Sequence, residues 1–493
     1  MRRSAALTTE THEALSAHLD RVDGQEDLTF ALYRPSTGAT RRTGIVHELL
    51  LPRGGERNVH GNVAFTGDYL LRALEEAADA DAGLVLLHSH PGGSGWQGMS
   101  PDDIAAEHGN AGKALAMTGY PLLGMTLGTG EMSWSARFWE RSGGRDFKRR
   151  DCETVRVVGH QMRLTFNEDL RPPPVLRQMQ VRTVSAWGPK VQADLARLRI
   201  AVIGAGSVGS LVAEALARTG IEHIVLIDFD TVELHNLDRL LHATHRDVRL
   251  ARSKVECLKR GLLHSATAAD PRIDALEASV VEEPGLAAAL DCDVIFSCVD
   301  RPWPRSALNF LAYAHLIPVI DGGIRVVAKD ERLVSADWKA HVAAPGRSCL
   351  ECLRQYDPGL VAVERDGHLD DPSYIDGLPA NHPLISSENV FAFSASTASM
   401  EVLQLLSMLI APSDIADIGA QNYHFVTGEL DIDQQCCQPN CLYAGQFLAT
   451  GDTTGLGVTG RHTAAEDERA ARAERAARMT IRLRRWIDER LHR

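Results

Sequence analysis

The stretch LRIAVIGAGSVGSLVAEALARTGIEHIVLIDFD, residues 198–230, decides the fold of the second half of the chain. It contains an apolar strand, a glycine-rich turn, a helix and a second apolar strand, which together have the length of one βαβ unit. The turn Gly204-Ala-Gly206-Ser-Val-Gly209 opens the helix, so backbone N–H groups and the helix N-terminus should face a phosphate. Asp228, about twenty residues further on, would accept from a ribose hydroxyl of either NAD or ATP. The pattern predicts a Rossmann-like α/β domain.

The segment after the second strand discriminates between the two nucleotides. It reads Asp228-Phe-Asp230-Thr-Val-Glu-Leu-His-Asn236-Leu-Asp-Arg239. It resembles the D-x-D-x-V-x-x-x-N-L-x-R segment of the ThiF/MoeB/ubiquitin-activating superfamily, which dehydrogenases do not carry. The resemblance implies ATP and an adenylation domain over residues 178–450, and it disfavours an NAD-dependent oxidoreductase.

The resemblance implies roles for further residues. Lys254 stands where the superfamily has a phosphate-binding lysine, and Asp300 stands where it has an aspartate for Mg-ATP. Arg182 lies in a stretch like the superfamily's entry segment, which implies an arginine that reaches into the partner protomer's ATP site in a homodimer. Asn236, Arg239 and Lys254 would neutralise triphosphate charge while a protein carboxylate attacks the α-phosphorus. Taken singly, Arg239 is equally compatible with a surface ion pair and Lys254 with a solvated helix position; their order and spacing favour the site.

A second motif lies in the first half, where LLHSHPGGSGWQGMSPDD spans residues 86–103. On a strand, side chains at i and i+2 share a face, so His88 and His90 should project together. Asp103 can add a third zinc ligand and leave the fourth position to water, as in catalytic sites. Ser100 followed by proline is also the pattern of a helix start, with Ser100 as the N-cap. The two interpretations are compatible.

The pattern His-Ser-His-Pro, a short loop and Ser-x-x-Asp resembles the JAB/MPN (JAMM) metalloproteases, which cleave after the C-terminal glycines of ubiquitin-like proteins. The resemblance covers residues 20–145 and implies an α+β domain. It implies His88, His90 and Asp103 as ligands of a catalytic zinc, and Ser100 as a residue that stabilises the oxyanion. The loop between His90 and Ser100 has nine residues, longer than the family's usual seven.

This mechanism also needs a carboxylate that shuttles a proton to the leaving amine. Glu26 precedes the strand LTFALY, as the family's glutamate precedes its first core strand. Glu48 lies inside the next strand, where it is also compatible with an exposed strand residue. We favour Glu26, and the sequence leaves Glu48 open.

Nine cysteines without a secretion signal indicate reduced thiols or metal ligands rather than disulfides. Cys349-x-x-Cys352 and the later Cys436-Cys437-x-x-x-Cys441 resemble the structural four-cysteine zinc site of ThiF/MoeB relatives. One of Cys436 and Cys437 is then surplus, and we prefer Cys437 as the ligand. Free or buried thiols are the alternative. The sequence leaves thioester formation open: Cys292 and Cys298 lie in or beside a core strand, and Cys436 is the spare cysteine near the late cluster, so adenylation is the favoured activity.

The composition sets broad limits. The chain has 493 residues with 44% hydrophobic and 24% charged residues, which predicts a globular protein of two or three domains. A net charge of -13 argues against nucleic-acid binding, and the sequence shows no signal peptide and no apolar run of about 20 residues. A cytoplasmic protein without a membrane span is expected. Residues 146–177 have linker composition. Residues 451–493 should form a linker and an amphipathic helix, whose apolar positions are Met479, Leu483, Trp486, Ile487 and Leu491.

The two signatures imply the same substrate. The JAB/MPN motif implies cleavage of a bond after a protein's C-terminal glycine, and the adenylation motif implies activation of the carboxylate of that glycine. The main hypothesis is a bacterial fusion of a zinc (iso)peptidase and a ubiquitin-activating-like enzyme that uses Mg-ATP, and a conjugating enzyme is a candidate further partner. A second hypothesis replaces the ubiquitin-like protein by a sulfur-carrier protein of cofactor or natural-product biosynthesis. A third is a scaffold whose protease half has lost catalysis.

Overall fold

Two β-sheets organise the chain. The computed structural model describes residues 1–60, 62–144, 146–370, 389–455 and 457–491, and within these the side chains of residues 62, 370 and 479–491 are left out. The first sheet has nine strands in the order β11-β10-β1-β3-β2-β6-β7-β8-β9. The strands of the first half are β1 Arg2–Thr8, β2 Leu28–Thr37, β3 Arg41–Leu50, β4 Arg57–His60, β5 Asn62–Phe65, β6 Gly83–His90, β7 Leu122–Gly128, β8 Ser133–Gly143, β9 Asp146–Asp151, β10 Thr154–Val158 and β11 Arg163–Phe166.

Three described helices accompany this sheet, and β4 and β5 form a separate hairpin. The helices are α1 Thr9–Leu19, α2 Gly67–Asp79 and α3 Pro101–Thr118. Helix α2 packs its apolar side, with Tyr69, Leu70 and Leu74, against β2 and β6. Helix α3 follows the loop after β6, and this connection places its first turn at the end of β6 where His88 and His90 lie.

The second sheet has eight strands in the order β14-β13-β12-β15-β16-β17-β18-β19. Its first five are parallel, and the last four form antiparallel pairs. The strands are β12 Arg199–Ile203, β13 His223–Ile227, β14 Arg272–Leu276, β15 Val294–Ser297, β16 Val319–Lys329, β17 Arg332–Ala343, β18 Ala420–His424 and β19 Glu429–Asp433. The βαβ unit predicted from residues 198–230 is β12-α6-β13, so the prediction of a Rossmann-like α/β fold for this half is confirmed.

Ten described α-helices belong to the second half. They are α4 Val181–Trp187, α5 Pro189–Ala196, α6 Ser207–Thr219, α7 His245–Arg249, α8 Lys254–Ser265, α9 Glu283–Leu290, α10 Pro302–Ala314, α11 Pro358–Arg365, α12 Phe391–Ile410 and α13 Thr463–Leu491. Helix α12 is long and apolar enough to span a membrane by length and composition, contrary to the expectation from the sequence. More than half of its apolar window is buried, and it packs against α6, β16 and β17 as a core helix.

The first sheet is larger than the sequence indicated. Residues 146–166, expected within a linker, form β9, β10 and β11, and β1 and α1 precede the expected start at residue 20. The physical reason is long-range pairing: β1 is hydrogen-bonded to both β3 and β10. Arg- and Gly-rich composition in this region therefore marks sheet edges rather than a free tether. The C-terminal helix α13 lies where a helix was expected, but the side chains of its apolar positions from Met479 onward lie outside the description.

A buried charge cluster joins the two halves. Asp293, just before β15, is fully buried and forms ion pairs with Arg41 at 2.5 Å, Arg156 at 3.2 Å and Arg171 at 3.4 Å. The carboxylate of Asp291 accepts from the backbone and side chain of Thr40 in the β2–β3 turn. Asp291 and Asp293 of the second half both precede β15. The first half therefore docks at the amino-terminal ends of the parallel strands.

Candidate nucleotide and metal sites

In the glycine turn after β12, close contacts confine two of the three glycines, and the space around the third is open. Gly204 has φ +92°, and a Cβ there would lie 2.5 Å from the carbonyl oxygen of Cys298. A Cβ at Gly209 would clash with the carbonyl of Gly204, whereas a Cβ at Gly206 would meet nothing within 4 Å. Gly206 is also the N-cap of α6, and no side chain caps that helix. The backbone N–H groups of the first turn are therefore free to bind an anion.

Asp228 lies at the carboxyl end of β13, as the sequence predicted. Its carboxylate accepts the backbone N–H groups of Ala205 at 2.6 Å and Asp230 at 2.7 Å, so it ties the glycine turn to the neighbouring strand. Burial raises the pKa of Asp228 to about 6, and the charge of Lys254 opposes that shift. The carboxylate is thus held in a desolvated position where a ribose hydroxyl would be a suitable donor.

Lys254 is the first residue of α8, and its side chain points toward Asp228 and Asp230. Its Nζ lies 2.6 Å from a carboxylate oxygen of Asp230. Burial alone would lower the pKa of Lys254, but the carboxylates of Asp228 and Asp230 outweigh it and raise the pKa, with a smaller contribution from Asp300. Asp300 is exposed just after β15. The charge of Asp300, the carboxylate expected for Mg-ATP, thus acts on Lys254, the lysine expected for phosphate.

Asp230 and Lys254 border a cavity of about 160 Å³. Asn236 contributes to the cavity, and its side-chain oxygen accepts the backbone N–H of Glu233 at 3.0 Å. The residues that line the cavity are Asp230, Thr231, Glu233, His235, Asn236, Lys254 and Glu468. Sequence reasoning missed Glu468, which comes from α13, and no local pattern could have shown that this helix returns to Thr231 after the Asp228–Asp230 segment.

Only Asp230, Asn236 and Lys254 of the residues expected at the nucleotide site line this cavity; Gly204, Gly206, Gly209, Asp228, Asp300, Arg239 and Arg182 do not. Arg239 donates to the carbonyl oxygen of His235 at 2.7 Å and pairs with Asp238 at 2.9 Å, so its guanidinium lies beside the cavity rather than in it. Arg182 is exposed on α4. The role expected for Arg182, which is to reach into the partner protomer's ATP site, needs a second protomer.

The motif in the first half converges on one point. His88 Nε2 and His90 Nε2 lie 3.2 Å apart, and each lies 3.6 Å from a carboxylate oxygen of Asp103. Zinc bonds of about 2.0–2.1 Å in tetrahedral geometry place neighbouring ligand atoms about 3.3 Å apart. The three side chains therefore fit a zinc ion with one position left for water. Burial alone would raise the pKa of Asp103, but the two imidazoles outweigh it and lower the pKa.

The helix start and the metal ligands are the same structure. Ser100 caps α3: its hydroxyl accepts the backbone N–H of Asp103 at 3.1 Å, and its own N–H donates to the Asp103 carboxylate at 2.8 Å. This capping box fixes Asp103 with one oxygen engaged by the helix and the other facing His88. The two interpretations of the motif therefore hold together.

Strand register places the two candidate glutamates differently. Leu28 pairs with His88, and the backbone N–H of Ser89 donates to the carbonyl of Asp27, so Glu26 lies next to His90. The negative charge of Glu26 contributes to the raised pKa of His90, whose main cause is Asp103. Glu48 pairs with Leu32, four residues along the strand from Leu28, which is about 13 Å. The register favours Glu26 as the carboxylate near the metal site.

A buried network behind His88 was not anticipated. The Thr126 hydroxyl lies 3.3 Å from His88 Nε2 and accepts from Arg137 at 2.7 Å. Arg137 is ion-paired with Glu107 of α3, and Trp139 donates to the same carboxylate at 2.6 Å. Because these groups are buried, the network ties α3, which carries Asp103, to the strands beside His88.

Four cysteines form the second candidate metal site. Cys349, Cys352, Cys437 and Cys441 have sulfur atoms within 4.8 Å of one another, and Cys349 Sγ lies 3.6 Å from Cys441 Sγ. Zinc–sulfur bonds of about 2.3 Å in tetrahedral geometry place sulfurs about 3.8 Å apart. The N–H of Cys349 donates to Cys437 Sγ and that of Cys352 to Cys349 Sγ, which stabilises thiolates. Cys436 is exposed outside the cluster.

The remaining cysteines of the core are poor nucleophiles. Cys292 is buried, and burial raises its pKa to about 12. Burial raises the pKa of Cys298 well above its usual value, and Glu401 adds to the effect. Neither thiol has the depressed pKa of an activated nucleophile.

A parallel sheet with an open glycine turn, an acidic residue on the next strand and a lysine facing it defines a Rossmann-like nucleotide-binding protein. The chain belongs to the ThiF family, which it matches over residues 177–430. The resemblance to the ThiF/MoeB superfamily is thereby confirmed. The match does not extend to residues 20–145, where the JAB/MPN resemblance stays a prediction.

Curated relatives share this part of the chain. Ubiquitin-like modifier-activating enzyme 5 of Drosophila virilis is 27% identical over 268 residues, 50% of this chain and 61% of that protein. Adenylyltransferase and sulfurtransferase UBA4 of Yarrowia lipolytica is 31% identical over 185 residues, 37% of this chain and 43% of that protein. Molybdopterin-synthase adenylyltransferase of Escherichia coli is 30% identical over 171 residues, 34% of this chain and 63% of that protein.

The chain thus spans between 43% and 63% of the length of these relatives. Among solved structures, E. coli MccB is 19% identical to this chain, with a TM-score of 0.42, over 55% of this chain and 75% of that chain.

Proposed function

We propose that the second half catalyses Mg-ATP-dependent adenylation of the C-terminal carboxylate of a small carrier protein. The observation that carries this proposal is the convergence of Asp230, Asn236 and Lys254 on one cavity, next to Asp228, whose carboxylate also holds the glycine turn. Membership of the ThiF family and the names of the relatives, two of which are adenylyltransferases, support this activity.

Each residue has a task in this reaction. The free N–H groups at the start of α6 bind phosphate, and Asp228 accepts from the ribose. Lys254 and Asn236 stabilise the negative charge that develops as a carboxylate oxygen attacks the α-phosphorus and the bond to the bridging oxygen of pyrophosphate breaks. Asp300 would hold Mg²⁺, which neutralises triphosphate charge when bound. Arg239 would leave Asp238 and turn toward the phosphates, and Arg182 would act on the partner protomer's site in a homodimer.

The carrier is proposed to be a ubiquitin-like protein with C-terminal glycines. Relatives named as ubiquitin-like modifier-activating enzymes support this class, and the molybdopterin-synthase and sulfurtransferase relatives support a sulfur carrier as the alternative. A conjugating enzyme would then be a further partner in the first case only. The buried thiols of Cys292 and Cys298 favour adenylation over thioester formation as the product-forming step.

ATP–pyrophosphate exchange tests this function. Exchange should depend on a small protein that ends in Gly-Gly, and it should be lost when that protein's final glycines are removed. The Asp300→Ala variant should abolish exchange, whereas Asp238→Ala, an exposed carboxylate next to Arg239, should retain it. Absence of exchange with a panel of diglycine-ended ubiquitin-like and sulfur-carrier proteins would contradict the proposal.

We further propose that the first half is a zinc (iso)peptidase for the same carrier class. His88, His90 and Asp103 fit a catalytic zinc ion, which when bound activates water and polarises a carbonyl. Glu26 would take a proton from the attacking water and deliver it to the leaving amine, and Ser100 would donate to the oxyanion. Cys349, Cys352, Cys437 and Cys441 would hold a second, structural zinc ion.

Zinc content and cleavage together test this half. The wild-type chain should carry two zinc ions per chain, and His88→Ala should lose one of them together with cleavage of a carrier extended beyond Gly-Gly. His108→Ala, a change at an exposed histidine on α3, is the matched control and should lose neither. Zinc bound at His88 without any cleavage of extended carriers would favour the scaffold alternative.

A further inference from the structure

The C-terminal helix α13 lies over the nucleotide cavity. It follows the part of the chain that matches the ThiF family, residues 177–430. Its Glu468 carboxylate is one of the groups that line the cavity, together with Asp230 and Lys254. The chain therefore places a carboxylate of its own where the second half would bind an anionic ligand.

Glu468 is held there by two hydrogen bonds. The Thr231 hydroxyl, next to Asp230, donates to the Glu468 carboxylate. Arg475, two helical turns further along α13, donates to Glu468 at 2.8 Å and to the Thr231 hydroxyl at 3.1 Å. Thr231 directly follows the Asp228–Asp230 segment. The helix therefore contacts the segment that is expected to bind the nucleotide.

Two more ion pairs extend the contact along the helix. Arg469 binds Glu282 with two hydrogen bonds, at 2.5 and 2.9 Å, and Arg472 is paired with Glu277 just after β14. The side chains of these pairs are between 15% and 42% exposed. Partly exposed pairs of this kind are weak individually, so the contact can break without unfolding the domain.

The start of the helix is fixed more firmly. His462 is fully buried, and its ring meets the edges of Phe229 at 5.3 Å and Trp303 at 5.7 Å. Its Nε2 lies 3.3 Å from the buried carboxylate of Glu364. The helix thus has a buried root at His462 and a polar, displaceable stretch beyond it.

The cavity under the helix is the part of the proposed nucleotide site that Glu468 borders. Glu468 also presents a negative charge next to Lys254, the cation expected to meet phosphate. The position and the negative charge of Glu468 oppose an anionic ligand at Lys254 while the helix is docked.

We propose that α13 is an autoinhibitory latch, in which Glu468 occupies the nucleotide site until the stretch from Glu468 to Arg475 swings away about its root at His462. The proposal rests on the proposed ATP site and names its regulation. ATP and the docked helix compete, so each weakens the binding of the other by the same factor. A partner that binds the released helix would activate adenylation by the same linkage.

Nucleotide titration of the full-length protein tests the latch. The double variant Glu468→Ala, Arg472→Ala should bind a fluorescent ATP analogue with Mg²⁺ more tightly than the wild type. If the open state is about a tenth of the population, the Kd should fall about tenfold. The matched control is Glu474→Ala, Arg478→Ala, which removes an exposed ion pair of the same helix, and its Kd should equal that of the wild type.

Hydrogen exchange gives an independent measurement on the unmodified chain. Saturating ATP with Mg²⁺ should accelerate exchange across residues 463–478 in the wild type. Slower exchange with ATP, or an unchanged or weaker affinity in the Glu468→Ala, Arg472→Ala variant, would overturn the latch alone. Absence of ATP binding by the wild type and every variant would overturn the nucleotide site and the latch with it.

Discussion

The ammonium group of Lys254 lies 2.6 Å from the carboxylate of Asp230, although the two residues belong to different elements of the second half. One begins α8 and the other follows β13, so the pair closes the floor of the cavity between them. A phosphate that enters would compete with Asp230 for the same cation. The ion pair therefore holds Lys254 in position before a nucleotide binds.

Lys254→Ala should weaken binding of Mg-ATP. Hydrogen bonds to charged groups contribute about 1.5–3 kcal/mol, so the Kd should rise about tenfold to a hundredfold. Isothermal titration would measure the change. Lys259→Ala on the same helix, outside the cavity, is the control and should leave the Kd unchanged, whereas an equal loss in both variants would show that α8 rather than the ammonium group matters.

Cys436 and Cys437 are adjacent in sequence, but their substitution should have different effects on zinc content and melting temperature. Cys437→Ser should remove one zinc ion per chain and lower the melting temperature, because the four-sulfur site loses a ligand. Cys436→Ser should keep the zinc content and the melting temperature of the wild type, since this thiol is exposed outside the cluster. Metal analysis and thermal unfolding would measure both. Loss of zinc in the Cys436→Ser protein instead would reassign the ligand.

Asp293→Ala should destabilise the protein strongly. The substitution leaves Arg41 and Arg156 buried without their carboxylate, and breaking a buried ion pair in this way costs about 3–5 kcal/mol. Urea-induced unfolding would measure the free energy. Asp23→Ala, which removes the exposed partner of Arg21, should leave the free energy of unfolding close to the wild-type value. Comparable effects of the two changes would contradict the role of the cluster in joining the halves.

Acid should destabilise the contact between the halves through His315. Burial lowers the pKa of this imidazole to about 3, and its Nδ1 lies 2.8 Å from the Ser36 hydroxyl of the first half. The unfolded chain binds the proton near pH 6.5 and the folded chain does not, so this stability is complete above pH 6.5 and declines as the pH falls toward 3. The slope for this group is at most about 1.4 kcal/mol per pH unit.

The His315→Gln variant should show a flatter pH dependence of the unfolding free energy between pH 6.5 and 4. His264→Gln, a change at an exposed histidine on α8, should keep the wild-type slope. Identical slopes in all three proteins would show that His315 does not titrate between the two states.

Local patterns were sufficient for the parts of the sites that lie close in sequence. The β12-α6-β13 unit, Asp228 and the placement of His88, His90 and Asp103 follow from strand alternation, a glycine turn and a helix cap, each of which acts within a few residues. The choice of Cys437 over Cys436 is also consistent with the geometry of the cluster.

Contacts between distant segments were not predictable in this way. The pairing of β1 with β10, the insertion of Asp293 among arginines of the first half, and the arrival of Glu468 at the cavity depend on register and docking of elements far apart in sequence. Nothing in the composition around residue 146 or in the charges of α13 specifies which surface each will meet. Such contacts are selected by the packing of the whole molecule.

The position of the docking interface determines how a carrier could visit both sites. The first half is attached at the β2–β3 turn, and the histidine pair lies at the other end of β2, nine residues away, which is about 30 Å. The glycine turn faces away from the interface as well. Within one polypeptide, a carrier used by both proposed sites would therefore dissociate from one site and diffuse to the other.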